Sequence, residues 1–172
     1  MPTRSHLALV LVVALAGLSS CGNEPSDPVT ISNVAGIDDA LSARRGKACL
    51  VNFWATWCPP CVTELPELVA VGREFESSGG CVLGVSFDLM QPKDLPEPTL
   101  AKVRQFLTQR QLAFETLICE RAELGKLIER FDLPDGIPIT HAYDAQGKLV
   151  DQHLGLADRA RFVEMMEKAL GR

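Results

Sequence analysis

The chain has 172 residues, of which 47% are hydrophobic and 23% are charged, and its formal net charge is −5. These values are typical of one globular domain and exclude a fibrous or disordered protein. The acidic balance argues against nucleic acid as a partner and against electrostatic docking on anionic lipid. We therefore expect one globular domain that is monomeric.

The start of the chain differs from the rest. Arg4 and His6 precede an apolar run over 7–18, which is too short to cross a membrane as a helix. A basic start, a short apolar stretch and small residues are the layout of a secretory signal peptide. The ending Leu18-Ser19-Ser20-Cys21 resembles the lipid-attachment motif of bacterial lipoproteins. The resemblance implies that Cys21 is lipidated; the alternative is an ordinary signal peptide followed by an incidental thiol.

This pattern predicts three segments: a signal peptide over 1–20, a lipidated tether over 21–28 and a folded domain over 29–172. After Cys21, the tether consists only of Gly, Pro and polar residues. It therefore cannot bury apolar surface. Acyl chains on Cys21 would attach the protein to the membrane. We expect the domain on the periplasmic side of a bacterial membrane, where disulfide bonds persist.

Hydrophobic periodicity predicts alternating helices and strands along the domain. Helices are predicted over 38–45, 61–78, 99–111, 122–131 and 157–170, and strands over 48–54, 81–87, 114–119, 136–143 and 148–153. Thr99 is the expected N-cap of its helix, and Pro66 should bend or interrupt the helix that contains it. The order implies an α/β fold with a central mixed sheet, helices on both faces and an antiparallel last pair of strands.

The motif Cys58-Pro59-Pro60-Cys61 follows a buried strand directly and opens a helix. This spacing brings the two sulfurs within bonding distance, and the free N–H groups and partial positive charge of a helix N-terminus favour a thiolate. We predict a Cys58–Cys61 disulfide in which Cys58, at the exposed end, is the nucleophile and Cys61 resolves the mixed disulfide. The two prolines are tolerated in the first helical turn, where their missing N–H groups would be unpaired.

Two other readings of the Cys pair remain open. A zinc site needs two further ligands at suitable spacing, and the sequence offers no second close Cys or His pair. A purely structural disulfide would constrain the unfolded chain little, because the loop that it closes is so short.

A second segment, Gly136-Ile137-Pro138, opens a predicted strand. A proline is tolerated there because the first residue of a strand need not donate to the sheet. A cis Ile137–Pro138 peptide would place this turn beside Cys58, where the Ile137 backbone can pair with an extended substrate. From the local sequence alone a trans proline in an ordinary loop is the commoner outcome.

The segment from Val51 to Cys61, with Glu64-Leu65-Pro66 after it, resembles the active site of the TlpA/ResA-like branch of the thioredoxin superfamily. Gly136-Ile137-Pro138-Ile139-Thr140 resembles that family's cis-proline segment. The resemblance implies a thioredoxin fold with a TlpA-type helical insertion over about 99–111, and a cis Pro138. It also implies reduction of disulfides outside the cytoplasm, often for cytochrome c maturation.

The chain departs from thioredoxin at a buried acidic position, which is occupied here by Asn52. Asn52 cannot ionise, so the proton of Cys61 needs another acceptor. Glu64 lies one helical turn after Cys61 and matches the family's Glu, and we propose it for that role. A capping or solvated Glu in the first turn is the alternative.

Other residues near these motifs allow more than one role. Trp54 is expected in the core, whereas Trp57, Pro59, Pro60, Ile137 and Pro138 are expected to bind substrate. Cys49 and Cys81 begin neighbouring predicted strands, and either a disulfide or two buried thiols would fit there. The remaining residues of this kind are Cys119, which is expected to be free, and His141 and His153, which are expected to pack or to lie on the surface.

The leading function is therefore enzymatic: a thiol–disulfide oxidoreductase that needs no bound cofactor or metal. Its expected partners are protein disulfides and an unidentified thiol electron donor. The second hypothesis is a copper-binding metallochaperone that uses Cys58, Cys61 and His141, because thiolates select Cu(I). A scaffold with inert thiols is the third.

Overall fold

The computed structural model describes residues 28–172. The predicted signal peptide, Cys21 and all of the predicted tether except its last residue lie outside this range. No helix within the range is long and apolar enough to cross a membrane.

Six strands form one mixed sheet. They are β1 (Val29–Ser32), β2 (Ala48–Trp54), β3 (Gly80–Ser86), β4 (Glu115–Cys119), β5 (Ile139–Tyr143) and β6 (Leu149–Leu154). Their spatial order is β1-β4-β3-β2-β5-β6. Strands β1, β4, β3 and β2 run parallel to one another. Strand β5 is antiparallel to both of its neighbours, β2 and β6.

Helices cover both faces of the sheet. They are α1 (Val34–Ser42), α2 (Pro59–Phe75), α3 (Pro96–Gln109), α4 (Leu124–Phe131) and α5 (Arg159–Ala169). Asn52 in β2 hydrogen-bonds to Glu64 of α2, whereas the next residue, Phe53, packs its ring against Phe131 of α4 at 5.4 Å. Successive side chains of a strand point to opposite faces, so α2 and α4 lie on opposite sides. The predicted α/β architecture is confirmed.

Strand β2 is the centre of the core. All seven of its residues are buried, as expected for a strand with neighbours on both edges and helices on both faces. Trp54 at its end is fully buried and packs against Phe106 of α3 at 5.7 Å between ring centroids. The expected core position of Trp54 and the expected helical insertion are therefore both present.

The structure corrects the first predicted elements of the domain. A first strand, Val29–Ser32, was missed; it has only four residues and pairs only with β4, so its formation depends on a partner far along the chain. The first helix spans 34–42 and not 38–45. It begins earlier because the Asn33 side chain accepts a hydrogen bond from the Gly36 N–H at 2.9 Å, which caps the N-terminus.

The start of a later helix also differs from the prediction. Helix α3 begins at Pro96, with Leu95 in the N-cap position, so Thr99 lies inside the first turn and is not the cap. A proline at the first helical position suits this start, because no N–H is needed there. Helix α2 continues through Pro66 without a break. Pro66 is exposed, so the backbone carbonyl that it leaves unpaired can be solvated.

Candidate active site

The two motif cysteines are joined where α2 begins. Cys58 and Cys61 form a disulfide with a Cα–Cα distance of 5.3 Å. Cys58 is the N-cap of α2, and its sulfur accepts a hydrogen bond from the Cys61 N–H at 3.3 Å. Pro59 and Pro60 occupy the first turn between them. Since neither proline has an N–H, the Cys61 amide is the first donor of the helix that can reach the Cys58 sulfur.

The two sulfurs differ in exposure. Cys61 is fully buried and Cys58 is 4% exposed, so Cys58 is the outer residue, as predicted, although the disulfide leaves little of it uncovered. Its neighbours are accessible: Trp57 is 47% exposed, and Pro59 and Pro60 are exposed as well. Trp57, Pro59 and Pro60 are therefore the accessible side chains closest to Cys58 in the sequence.

The second predicted segment meets the disulfide. The Ile137–Pro138 peptide bond is cis, and the Ile137 carbonyl oxygen lies 3.7 Å from Cys58 Sγ. The Gly155 N–H donates to the Pro138 carbonyl at 2.8 Å, which fixes the segment against the end of β6. Residues 79 positions apart in the sequence are thus in contact.

An apolar groove of about 230 Å³ begins between Trp57 and Ile137. It reaches α4, so an apolar side chain of a molecule bound beside Trp57 would find a matching surface there. The groove is also lined by Phe87, Met90, Leu124, Ile128, Leu133 and Ile139.

Glu64 is a buried carboxylate beneath the active-site helix. It is 2% exposed. Its Oε1 accepts a hydrogen bond from Asn52 Nδ2 and its Oε2 accepts one from the Ala157 N–H, both at 2.8 Å. Burial raises the pKa of Glu64 from 4.5 to about 7, and these two hydrogen bonds oppose the rise. The solvated Glu considered from the sequence is thus not what the structure shows.

Asn52 connects Glu64 to the cis-proline strand. Its Nδ2 also donates to Thr140 Oγ1 at 2.9 Å, whereas its Oδ1 is buried without a partner in the described structure. Glu64 also borders an open cleft of about 660 Å³ that includes His153 and Asp158. A proton on Glu64 therefore has a short path to solvent.

Asp88 is a buried carboxylate that holds the loop before the active-site cysteines and that sequence reasoning missed. Its side chain is fully buried and accepts hydrogen bonds from the Thr56 N–H at 2.9 Å, from the Thr56 hydroxyl and from the Ser86 hydroxyl at 2.8 Å. Lys102 Nζ of α3 lies 3.1 Å from Asp88 Oδ1. The carboxylate thus ties the loop before Trp57 to β3 and α3.

A sequence signal for Asp88 existed. It lies two residues beyond the end of β3, which neighbours β2 in parallel, and parallel strands end at the same edge of a sheet. Polar residues just beyond the carboxyl ends of such strands commonly belong to the site.

The structure does not assemble the predicted copper ligands. His141 is fully buried, packs its ring against Phe53 and has Nδ1 at 3.3 Å from the Tyr143 hydroxyl. Burial lowers the pKa of His141 to about 4. Over residues 28–172, no three His, Cys, Asp or Glu side chains are grouped so that they could hold a metal ion. His141 therefore has the expected packing role, and His153 faces the Leu156 carbonyl at 3.3 Å.

A thioredoxin fold with a Cys-x-x-Cys disulfide at a helix N-terminus, beside a cis-proline, defines a thiol–disulfide oxidoreductase of the thioredoxin superfamily. The comparisons agree with this class. The model of the AhpC/TSA family matches residues 27–158, and the chain belongs to that family.

The chain is also similar to individual proteins of this class. The thiol-disulfide oxidoreductase ResA of Bacillus thuringiensis subsp. konkukian is 25% identical over 138 residues, which cover 80% of this chain and 72% of the relative. The thiol:disulfide interchange protein of Chlorobium tepidum TLS is 27% identical, with a TM-score of 0.61 and coverage of 76% of this chain and 84% of that one. The exposed lipoprotein thioredoxin Etrx1 of Streptococcus pneumoniae is 25% identical, with a TM-score of 0.56 and coverage of 74% and 89%. The predicted ResA-like resemblance is confirmed.

Replacing Asp88 by Asn should lower the free energy of unfolding by about 1–3 kcal/mol, because an amide turns donor atoms towards the donors of Thr56 and Ser86. Urea unfolding of the disulfide form measures this. Asp94→Asn is the matched control, because Asp94 lies in the same loop between β3 and α3. Asp94 accepts one hydrogen bond from the Gln91 N–H, which the Asn side chain can also accept. The free energy of unfolding should therefore change by less than about 0.5 kcal/mol. Equal stabilities of the two variants would show that Asp88 does not hold the loop.

Proposed function

We propose that this protein reduces disulfide bonds of other proteins outside the cytoplasm, with Cys58 as the nucleophile and Cys61 as the resolving thiol. The observation that carries the proposal is the position of the Cys58 sulfur, which caps α2 and accepts the Cys61 N–H. The same N–H and the helix N-terminus would stabilise a Cys58 thiolate after reduction. Membership of the AhpC/TSA family and similarity to ResA support it.

In the proposed reaction the Cys58 thiolate attacks one sulfur of a substrate disulfide. The substrate bond breaks, one substrate thiol leaves with a proton, and a mixed disulfide remains on Cys58. Cys61 loses its proton and attacks the Cys58 sulfur, which releases the second substrate thiol and restores the disulfide of the structure. A thiol electron donor then reduces the Cys58–Cys61 bond for the next cycle.

The surface around Cys58 suits a polypeptide substrate. Ile137 presents its backbone beside the sulfur, where an extended chain can pair with it, and Pro138 fixes that backbone. Trp57, Pro59 and Pro60 form the exposed rim, and the groove towards α4 would take an apolar side chain of the substrate. Among protein substrates, the ResA resemblance favours apocytochromes c.

Glu64 is proposed as the proton acceptor for Cys61. It lies one helical turn beyond Cys61 on α2, and its pKa of about 7 allows it to exchange a proton near neutral pH. The open cleft beside it would pass the proton on to solvent.

The protein is proposed to act as a monomer on the periplasmic side of a bacterial membrane, anchored by lipid on Cys21. The support is the signal-like sequence over 1–20 followed by Cys21. One structural relative is named an exposed lipoprotein.

The substitution Cys61→Ser should trap the proposed intermediate, because a serine cannot release the mixed disulfide on Cys58. The variant, expressed in its native envelope, should accumulate disulfide-linked partners that mass spectrometry identifies. Cys58→Ser should trap nothing and should lower insulin reduction to the uncatalysed rate. Cys119→Ser, a buried cysteine outside the site, should keep wild-type activity. Absence of Cys58-linked species in Cys61→Ser would refute the exchange reaction.

The substitution Glu64→Gln should change both stability and exchange with pH. Because burial raises the folded pKa from 4.5 to about 7, the folded protein holds this proton more tightly than the unfolded chain does. The stability that Glu64 supports is therefore complete below pH 4.5 and is lost as the pH rises to about 7. Across that interval the wild type should lose about 3 kcal/mol of unfolding free energy relative to Glu64→Gln, measured by urea titration.

The role of Glu64 in catalysis has a separate readout. The wild-type rate of mixed-disulfide release should rise through pH 7 as Glu64 becomes a base, and Glu64→Gln should remove that rise. Glu67→Gln is the control, since Glu67 is an exposed carboxylate on the same helix. If the stability difference is present but the rate profile of Glu64→Gln is unchanged, Glu64 titrates without accepting the Cys61 proton.

The substitution Cys21→Ala should release the protein from the membrane, because no acyl chain can then be attached at that position. Fractionation with a phase-separating detergent measures this: the wild type should enter the detergent phase and the variant the aqueous phase. Partition of the wild type into the aqueous phase would contradict the lipid anchor.

A further inference from the structure

Two cysteines face each other at the opposite end of β2 from the active site. Cys49 of β2 is directly opposite Cys81 of β3 in the parallel register. Both are thiols in the structure. Neither residue takes part in the site around Cys58, so the pair has no role in the function proposed above.

The geometry permits a bond between them. Neighbouring strands lie about 4.8 Å apart, which falls within the Cα–Cα separation of about 4.4–6.8 Å that disulfides span. Side chains directly opposite each other in a sheet also point to the same face. The register therefore places the two thiol groups side by side, close enough that each shifts the pKa of the other.

The two thiols are not equivalent. Cys49 is 1% exposed, whereas Cys81 is half-buried and reaches the surface. The positive charges of Arg44 and Lys47 act on Cys81. The neighbouring Cys49 thiol and these cations lower the pKa of Cys81 to about 7, while Cys81 and burial raise the pKa of Cys49.

Arg44 is held in place by other contacts. Its Nη1 donates to the Ala40 carbonyl and its Nη2 to Glu115 Oε2, each at 2.6 Å. Because Glu115 is the first residue of β4 and Ala40 lies in α1, the guanidinium is fixed between these elements, beside β3. The guanidinium, which is paired with Glu115, is therefore held in place by the fold.

We propose that Cys81 and Cys49 form a second thiol–disulfide couple, in which Cys81 attacks low-molecular-weight disulfides and Cys49 resolves the product. An accessible thiol beside cations, with a resolving thiol beside it, is the arrangement of redox-active cysteine pairs. This couple is independent of Cys58: the stretch from 49 to 54 alone spans roughly 16 Å of extended β2.

The reaction balances as a two-electron exchange. The Cys81 thiolate attacks one sulfur of the small disulfide, whose bond breaks, and the departing thiolate takes up a proton. Cys49 gives up its proton and attacks the Cys81 sulfur, which releases the second small thiol. The two protein thiols are oxidised to one disulfide, and the small disulfide is reduced to two thiols.

Cys119 provides an internal control. It is 3% exposed and shares no strand register position with another cysteine. Burial, with Glu123 and Glu120 nearby, raises its pKa to about 12. It should therefore not react with a small disulfide.

The test uses the full-length protein with Cys58→Ser and Cys61→Ser, so that its outcome does not depend on the proposed active site. The protein is incubated with glutathione disulfide, alkylated in denaturant and mapped by mass spectrometry. We expect a peptide cross-link between Cys49 and Cys81, complete loss of both as alkylatable thiols, and return of both after reduction with dithiothreitol. Cys119 should be recovered as an alkylated thiol.

Two added substitutions separate the roles of the pair. With Cys49→Ala, glutathione should remain on Cys81, because no resolving thiol is present. With Cys81→Ala, Cys49 should stay a free thiol, and insulin reduction by the otherwise wild-type protein should be unchanged. Circular dichroism checks that both variants are folded. If one of them does not fold, the cross-link map of the Cys58→Ser, Cys61→Ser protein alone tests the proposal.

Three results would overturn the proposal: recovery of Cys49 and Cys81 as unmodified thiols, a glutathione adduct that persists on Cys81 beside an intact Cys49, or modification of Cys49 in the absence of Cys81.

Discussion

The pairing of β2 with β5 is the constraint on which the site depends. Their antiparallel register places Phe53 opposite Ile139, so the end of β2 and the start of β5 lie side by side. The chain leaves β2 through Trp54 and reaches Cys58 within four residues, while Pro138 immediately precedes β5. A shift of this register by one residue would exchange the two buried faces of β2, so that Asn52 and Phe53 would change sides, and it would separate the Ile137 carbonyl from the Cys58 sulfur. The core that stabilises the fold therefore also sets the geometry of the site.

Two buried carboxylates, Glu64 and Asp88, connect elements around the site by hydrogen bonds. An unpaired carboxylate inside a protein is strongly unfavourable, and both Glu64 and Asp88 are held by donors from other elements. Glu64 receives donors from Asn52 and from the Ala157 backbone, so it connects α2 to β2 and to the segment before α5. Asp88 receives four donor contacts, including Lys102. The difference is chemical as well as structural: Asp88 has a cation and more donors, whereas Glu64 has only two neutral donors and keeps a raised pKa.

Local motifs made much of this predictable. The Cys58–Cys61 disulfide follows from spacing and from the demands of a helix N-terminus, and Gly136-Ile137-Pro138 carried a family resemblance that implied the cis bond. What the sequence could not supply were features that exist only through distant partners. Strand β1 forms because β4 accepts it, and the burial of Glu64 depends on the Ala157 backbone, 93 positions away. Such contacts leave no periodicity within a short window.

In the two proposed thiol couples, the thiols at the two ends of one sheet would be activated by different means. At Cys58 the stabilising groups are backbone: the Cys61 N–H and the partial charge of α2, which are fixed by the helix and are shielded from solvent by the surrounding core. At Cys81 they are the side chains of Arg44 and Lys47, which lie near the surface, where dissolved ions weaken charge–charge interactions. On these proposals the reactivity of Cys58 would depend on an intact fold, whereas that of Cys81 would also respond to the ionic strength around it.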